Sequence, residues 1–336
     1  MDLGLAYVNA RVKGMKSKLL PPSSLRQMLS VRTLNEVVEL LEEGPYKDSF
    51  VEASVKYSGR KLVLHALFLD FNKAVQKLVR VTPPKYQGVL SAVLKKWDVQ
   101  SIQLVLSSKA LQESVDEDDL IFLEPSKKRS LKELINANSF SEALKALDKT
   151  EYRGVILRAM PEFEKSKDYR VFVNALDAYY FRILSDSVGK TNDRNAESLL
   201  KSEINVHNFL LVLRMKYDFK GKLQAGKVAS PETIIPFLVK GGNYSFAVSL
   251  AKAQDFEGAL NLLNKKYKLD GVLEEVEKTS SLTPLEIALD RLFTDKVALS
   301  SSVSVLSFGT LMGYLYLKQK EILTVRGLTF ATELGL

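Results

Sequence analysis

The sequence predicts an all-α protein built from three related helical bundles, and two observations carry that expectation. Apolar residues recur at i, i+3 and i+4 along most of the chain, and one set of landmarks returns three times in the same order. Strand signals are sparse: the β-branched run "VASPETII" (228–235) is short and is interrupted by Pro231, with Pro236 next to it.

The first landmark is the phrase "LNEVVELLEEGPY" (34–46), where Leu34, Val37, Val38 and Leu41 share a helical face before a Gly44-Pro45 stop. It returns as "FSEALKALDKTEY" from Phe140 and as "FEGALNLLNKKYK" from Phe256. Upstream of each copy lies a shorter apolar pattern, in which Leu25, Met28 and Leu29 correspond to Leu131, Leu134 and Ile135 and to Ala247, Leu250 and Ala251. Two short helices per copy follow from this pairing.

The second landmark is a Leu-Asp pair leading into an aromatic-rich helix: Leu69-Asp70, Leu176-Asp177 and Leu289-Asp290. These aspartates follow Leu34, Phe140 and Phe256 at nearly the same distance each time. The third is an acidic or amide residue read as opening an apolar helix: Asp98, Asn205 and Glu321, whose distances from the same origins agree even more closely. Copies that begin at Leu34, Phe140 and Phe256 are spaced far more widely than the ~34 to ~47 residues of solenoid units, so each copy is a small domain. The boundaries read from these landmarks are 1–123, 124–227 and 228–336.

With 46% hydrophobic and 26% charged residues, the 336-residue chain has enough apolar surface for a core. Lys and Arg number 48 against 40 Asp and Glu, a net charge of +8, and the isoelectric point is about 9.2. That balance favours an acidic partner. There is no cysteine, which removes disulfides, thiolate zinc sites and thiol nucleophiles and fits a cytosolic compartment. The N-terminal "MDLGLAYVNARVKGMK" has neither a secretory nor a transit pattern. The run between Lys296 and Lys318 carries no charge, but five serines occupy its first half. Only Val305 to Leu317 is strongly apolar, too short to span a bilayer, and it is expected as a buried helix whose Gly309 and Gly313 allow close packing.

No catalytic constellation emerges, and no cofactor, metal or small-molecule substrate is expected. "GKLQAGKV" (221–228) matches the first seven positions of a phosphate-binding loop, but Val228 replaces the magnesium-binding hydroxyl and the segment follows a helix rather than a strand. It reads as a connection between copies; a nucleotide-dependent enzyme using it is a rival reading. The two histidines, His65 and His207, occupy non-equivalent places and have no ligand at metal spacing. Asp70, Asp177 and Asp290 could form a three-carboxylate metal site, but each is better read as a partner at a helix crossing. The basic clusters Arg11, Lys13, Lys16, Lys18 and Lys127, Lys128, Arg129 lack the interleaved aromatics of a nucleic-acid surface and read as solvated faces. A basic scaffold for RNA is the principal alternative. The acidic run Asp116 to Asp119 reads as a loop between copies.

Four segments add a resemblance. "YVNARVKGMKSKLL" (7–20), "WDVQSIQLVLSSK" (97–109), "INVHNFLLVLRMK" (204–216) and "LSFGTLMGYLYLKQKEILTVRGL" (306–328) are similar to the family of C subunits of A-type and V-type rotary ATPases, whose eukaryotic relative is the d subunit. The likeness runs over essentially the whole chain. It implies a funnel-shaped, three-domain helical body with pseudo-threefold symmetry. It further implies a non-catalytic socket of the central stalk, set on the cytoplasmic face of the membrane rotor ring of proteolipid subunits. That socket would hold the foot of the axle, the D and F subunits, during ATP synthesis or ATP-driven proton or sodium transport. Family members often carry Asn at the position of Asn208, whereas the matching places here hold Ser101 and Thr324. The interface residues expected on this basis are Asp98, Asn205, Asn208 and Glu321 at the helix mouths, Lys109, Arg214 and Lys216 at helix ends, and Arg11 and Lys16 near the N-terminus.

Overall fold

A computed structural model of the chain describes residues 3–121, 123, 131–217, 230–303 and 306–335. The run "GKLQAGKV" and the cluster Lys127 to Arg129 lie outside them. Among the described residues all regular structure is helical.

The helices follow one another as α1 (Leu3–Lys16), α2 (Pro22–Met28), α3 (Leu34–Glu42), α4 (Lys47–Ser54), α5 (Gly59–Val81) and α6 (Pro84–Leu111). After a 3₁₀ turn (Glu117–Asp119) come α7 (Lys132–Ile135), α8 (Phe140–Ala146), α9 (Arg153–Ser166), α10 (Arg170–Gly189) and α11 (Arg194–Lys216). The last set is α12 (Pro231–Ile234), α13 (Tyr244–Lys252), α14 (Phe256–Tyr267), α15 (Val272–Thr279), α16 (Thr283–Val303) and α17 (Phe308–Leu334).

Local chemistry explains where the short helices begin. Thr33 Oγ1 accepts from the Glu36 amide, Ser139 Oγ from the Glu142 amide and Asp255 Oδ1 from the Gly258 amide, at 3.4, 3.2 and 2.8 Å. Each cap stands one residue before the first landmark and satisfies an orphan N–H of the first turn. In the first two, the acid three residues on reaches back: Glu36 Oε2 accepts from Arg32 N and Glu142 Oε2 from Asn138 N, both at 2.9 Å. The long helix α6 starts with Pro84 at its first position, where a missing N–H costs nothing. One detail departs from the pattern: Leu29, expected on an apolar face, is exposed, because α2 ends at Met28 and only Met28 turns inward.

The chain forms two compact units, Met1–Leu176 with Val305–Leu336, and Asp177–Ser304. In the first, α5 packs against α4 and α17, and α1 lies along α17. Its core holds Tyr46, Phe50, Phe71 and Trp97, with the Phe71 and Trp97 rings 5.0 Å apart, and a second aromatic group of Phe140, Phe163 and Phe172. The start of α17, Phe308 to Leu315, is buried on every side, as the uncharged run predicts. It begins three residues later than Val305, where Ser307 accepts from the Gly309 amide at 2.9 Å. In the second unit α11 packs against α13, α14 and α16 around Phe209, Leu250, Leu263, Leu285 and Leu289. Among the described residues no helix is long and apolar enough to cross a membrane.

Candidate functional site

The three polar landmarks do not open helices. Asp98, Asn205 and Glu321 sit about three to four turns inside α6, α11 and α17, which begin at Pro84, Arg194 and Phe308. Polar side chains in the middle of a helix that packs on others must find partners outside it. What this part of each helix finds is the backbone of an incoming segment.

On α6, Ser101 Oγ donates to the Ile121 carbonyl and accepts from the Ile121 amide, both at 3.0 Å. On α11, Asn208 does the same with a full amide: Nδ2 donates to the Val239 carbonyl and Oδ1 accepts from the Val239 amide, both at 2.9 Å. One turn earlier Asn205 Oδ1 accepts from the amide of Asn243, the residue that precedes α13, at 2.6 Å. Gly242 makes this approach possible: its φ is +53°, and a Cβ there would fall 2.6 Å from the Lys201 carbonyl and closer still to Asn205 Oδ1. On α17 the matching Thr324 turns back to the Lys320 carbonyl of its own helix at 2.9 Å, and the grip is made by Glu321 instead.

Glu321 anchors the most elaborate cluster. Its Oε2 accepts from the Leu20 amide just before α2, and its Oε1 accepts from the Tyr46 hydroxyl at 2.5 Å and from Lys318 Nζ at 2.9 Å. Lys318 Nζ also donates to Tyr46 Oη at 2.9 Å and pairs with Asp70 at 2.8 Å. The Glu321 and Lys318 side chains are only 4% and 5% exposed, Asp70 28%. Burial, followed by the charge of Glu321, pushes the Tyr46 phenol well above its ordinary range, so it stays neutral and can donate to one charge and accept from the other. Tyr314, buried beside Asp70 and Glu321, is raised for the same reasons.

Of the residues expected at an interface, Asp98, Asn208, Lys216 and Glu321 are buried, Lys16, Lys109 and Asn205 are half-buried, and Arg11 and Arg214 are exposed. Lys216 Nζ donates to the Ala253 carbonyl at 2.6 Å, and burial pulls its pKa below the ordinary lysine value despite Asp255 nearby. Arg214 pairs with Glu286 at 2.7 Å, and Arg11 Nε donates to Tyr7 Oη at 3.0 Å. Thus Glu321 joins the cluster around Leu20, Asn205 and Asn208 share the segment 239–243, and the charged helix ends point elsewhere. Asp116 to Asp119 is an ordered turn rather than a bare loop: Asp118 takes Lys61 at 3.0 Å and His65 at 2.9 Å, and Asp119 takes Arg326 at 3.0 Å. His65 stacks on Tyr57 with ring centroids 3.5 Å apart. Tyr46 and Lys318 escape the sequence reading as site residues; the available signal is a Lys and a Glu three apart where the uncharged start of α17 ends, a spacing that puts them on one face. Between α6 and α17 a cleft of about 550 Å³ is lined by Trp97, Gln100, Leu104, Leu323, Arg326 and Phe330.

A profile of the family described as "ATP synthase (C/AC39) subunit" matches residues 8–336. The chain belongs to that family. The helices carrying Ser101, Asn208 and Glu321 therefore all lie inside the matched region of the C/AC39 family. Among its relatives, the C subunit of the A-type ATP synthase of Methanosarcina mazei is 28% identical over 98% of this chain and 89% of its own. The C subunit of the A-type ATP synthase of Methanocaldococcus jannaschii is 27% identical over 96% of this chain and 81% of its own, and that of Thermococcus onnurineus 26% over 96% and 85%.

Proposed function

We propose that this C/AC39 chain is a non-catalytic subunit of the central stalk of an A-type rotary ATP synthase. In this reading it is a socket that couples the axle, made of the D and F subunits, to the rotor ring of proteolipid subunits during ATP synthesis or ATP-driven ion transport. It sits at the cytoplasmic face of the membrane as a peripheral subunit. A module repeated three times, with domains 1–123, 124–227 and 228–336, suits a part that must present itself around a cyclic ring and receive a shaft along its axis.

The observation that carries this reading is the order of helices. Two short helices, a third short or medium one, then two long ones occur as α2 to α6, α7 to α11 and α13 to α17. The second helix of each set has its cap at Thr33, Ser139 or Asp255. The final helices α6, α11 and α17 each grip a backbone segment through Ser101, Asn208 or Glu321. Torque transmission needs a body that yields little, and dense helix packing with buried polar grips supplies that stiffness.

Within this proposal Arg11, Lys16 and Lys109 offer outward charge for docking, joined by Lys13 and Lys18, which have no ion-pair partner among the described residues, while Arg214 would have to exchange its pairing with Glu286 for a partner's carboxylate. Asp98, Asn205, Asn208, Lys216 and Glu321 contribute by holding the closing helices in place. The exposed Leu104, Leu323 and Phe330 beside Arg326 suit the apolar face of a partner helix. The test is capture of a recombinant D–F axle and of detergent-solubilised rotor ring by the purified chain, with salt as the variable. Simultaneous capture of both, weakening as salt rises, is expected. Capture of neither, with RNA retained on the chain, overturns the reading in favour of the nucleic-acid scaffold.

A further inference from the structure

The three grips differ in one respect that their shared geometry conceals. Ser101 holds a residue 20 positions further on and Asn208 a residue 31 positions further on, so covalent continuity keeps both segments near their helices. Glu321 holds Leu20 across 301 positions. No short stretch of chain returns that segment to α17: α1, which ends at Lys16, lies along α17 as well, and the loop-closure entropy that the two contacts share is correspondingly larger.

We infer that the Glu321–Lys318–Tyr46–Asp70 cluster is the closing joint of the repeat cycle. In it the last closing helix takes the segment leading into the first copy, as α6 and α11 take the segments leading into the second and third. The inference rests on the three-copy reading above for its symmetry, while the contacts themselves are independent of it.

The chemistry fits the heavier task. Ser101 and Asn208 are neutral, and each satisfies both an amide and a carbonyl of one residue. The third joint uses a carboxylate, whose bond to an N–H is charge-assisted and roughly twice as strong as a neutral one. A buried carboxylate needs a counter-charge, which Lys318 supplies at 2.9 Å. Lys318 and Tyr46 then extend the joint to Asp70 on α5 and to the turn between α3 and α4. The position of Leu20 is in this way coupled to three further elements, and the joint behaves as a lock: loss of any member frees the segment before α2.

Hydrogen exchange read by mass spectrometry on the full chain tests this. Glu321→Gln and Lys318→Met should each accelerate exchange in peptides covering 17–33 at least tenfold and leave 244–267 within twofold of the parent chain. Asn208→Ala should do the reverse. Tyr46→Phe, which removes only a hydroxyl, should give a severalfold acceleration at 17–33 and keeps the question answerable if Lys318→Met does not fold. The proposal is overturned if 17–33 stays within twofold in Glu321→Gln and Tyr46→Phe, or if 244–267 accelerates as much as 17–33. Failure of the chain to capture axle and ring would remove the socket reading and leave these exchange results standing, so the two can fail separately.

Discussion

Replacing Asn208 by alanine is the most direct test of the joints. The side chain is 1% exposed, and its amide is shared between the N–H and the C=O of Val239, which is itself buried. Alanine removes both partners at once and leaves two backbone groups without water. Each such group costs about 1–3 kcal/mol, so the substitution should destabilise by roughly 2–6 kcal/mol. At about 3 °C per kcal/mol for a unit of this size, Tm should fall by roughly 6–18 °C. Ser101→Ala removes the same pair of bonds from Ile121, but Ile121 is only half-buried. Water can take over there, and the loss should be no more than about 0.5–1.5 kcal/mol. Differential scanning calorimetry of both variants measures the contrast. If the two costs differ by less than about 1 kcal/mol, burial does not set the strength of these joints and the reasoning fails.

Three further outcomes follow from the same geometry. Gly242→Ala must accept a φ of +53° and a collision with the Lys201 carbonyl, and should cost about 2–4 kcal/mol; Gly271→Ala, with φ +78° but open space, should cost only about 1 kcal/mol, both read by urea denaturation. Thr33→Ala, Ser139→Ala and Asp255→Ala each remove an N-cap bond and should each cost about 1 kcal/mol; a cap whose loss leaves Tm unchanged is not holding its helix. Burial raises the Asp118 carboxyl, but hydrogen bonds from Lys61 and His65 outweigh it and leave its pKa below 3.8. A depressed carboxyl stabilises the fold above its unfolded pKa and loses that contribution as pH falls through the folded value. The Tm difference between the parent chain and Asp118→Asn should therefore be constant above about pH 5 and shrink below about pH 4. A difference that does not shrink at any pH below about 4 would mean the Lys61 and His65 bonds do not favour the charged form.

Much of this protein is legible in its sequence because the signals are local. Helical periodicity, the caps at Thr33, Ser139 and Asp255, and the proline that starts α6 act within one turn of chain, and propensity and hydrogen bonding at that range need no tertiary context. The buried start of α17 follows likewise from an uncharged run too short to span a bilayer. At Asn205 and Glu321 the sequence pattern marks residues that hold incoming backbone but suggests the wrong local role, and on α6 that task falls to Ser101, one turn beyond the buried Asp98. A polar residue before an apolar run resembles a cap, yet the true caps are Asp193 and Ser307, with Pro83 before α6, each about three to four turns upstream. Only the tertiary structure decided what the polar residues of these helices do, because their partners are distant: Val239 for Asn208, Asn243 for Asn205, Leu20 and Tyr46 for Glu321. A carboxylate inside a packed helix is tolerated only when other elements bring donors to it, and where those donors come from is a property of the assembled fold.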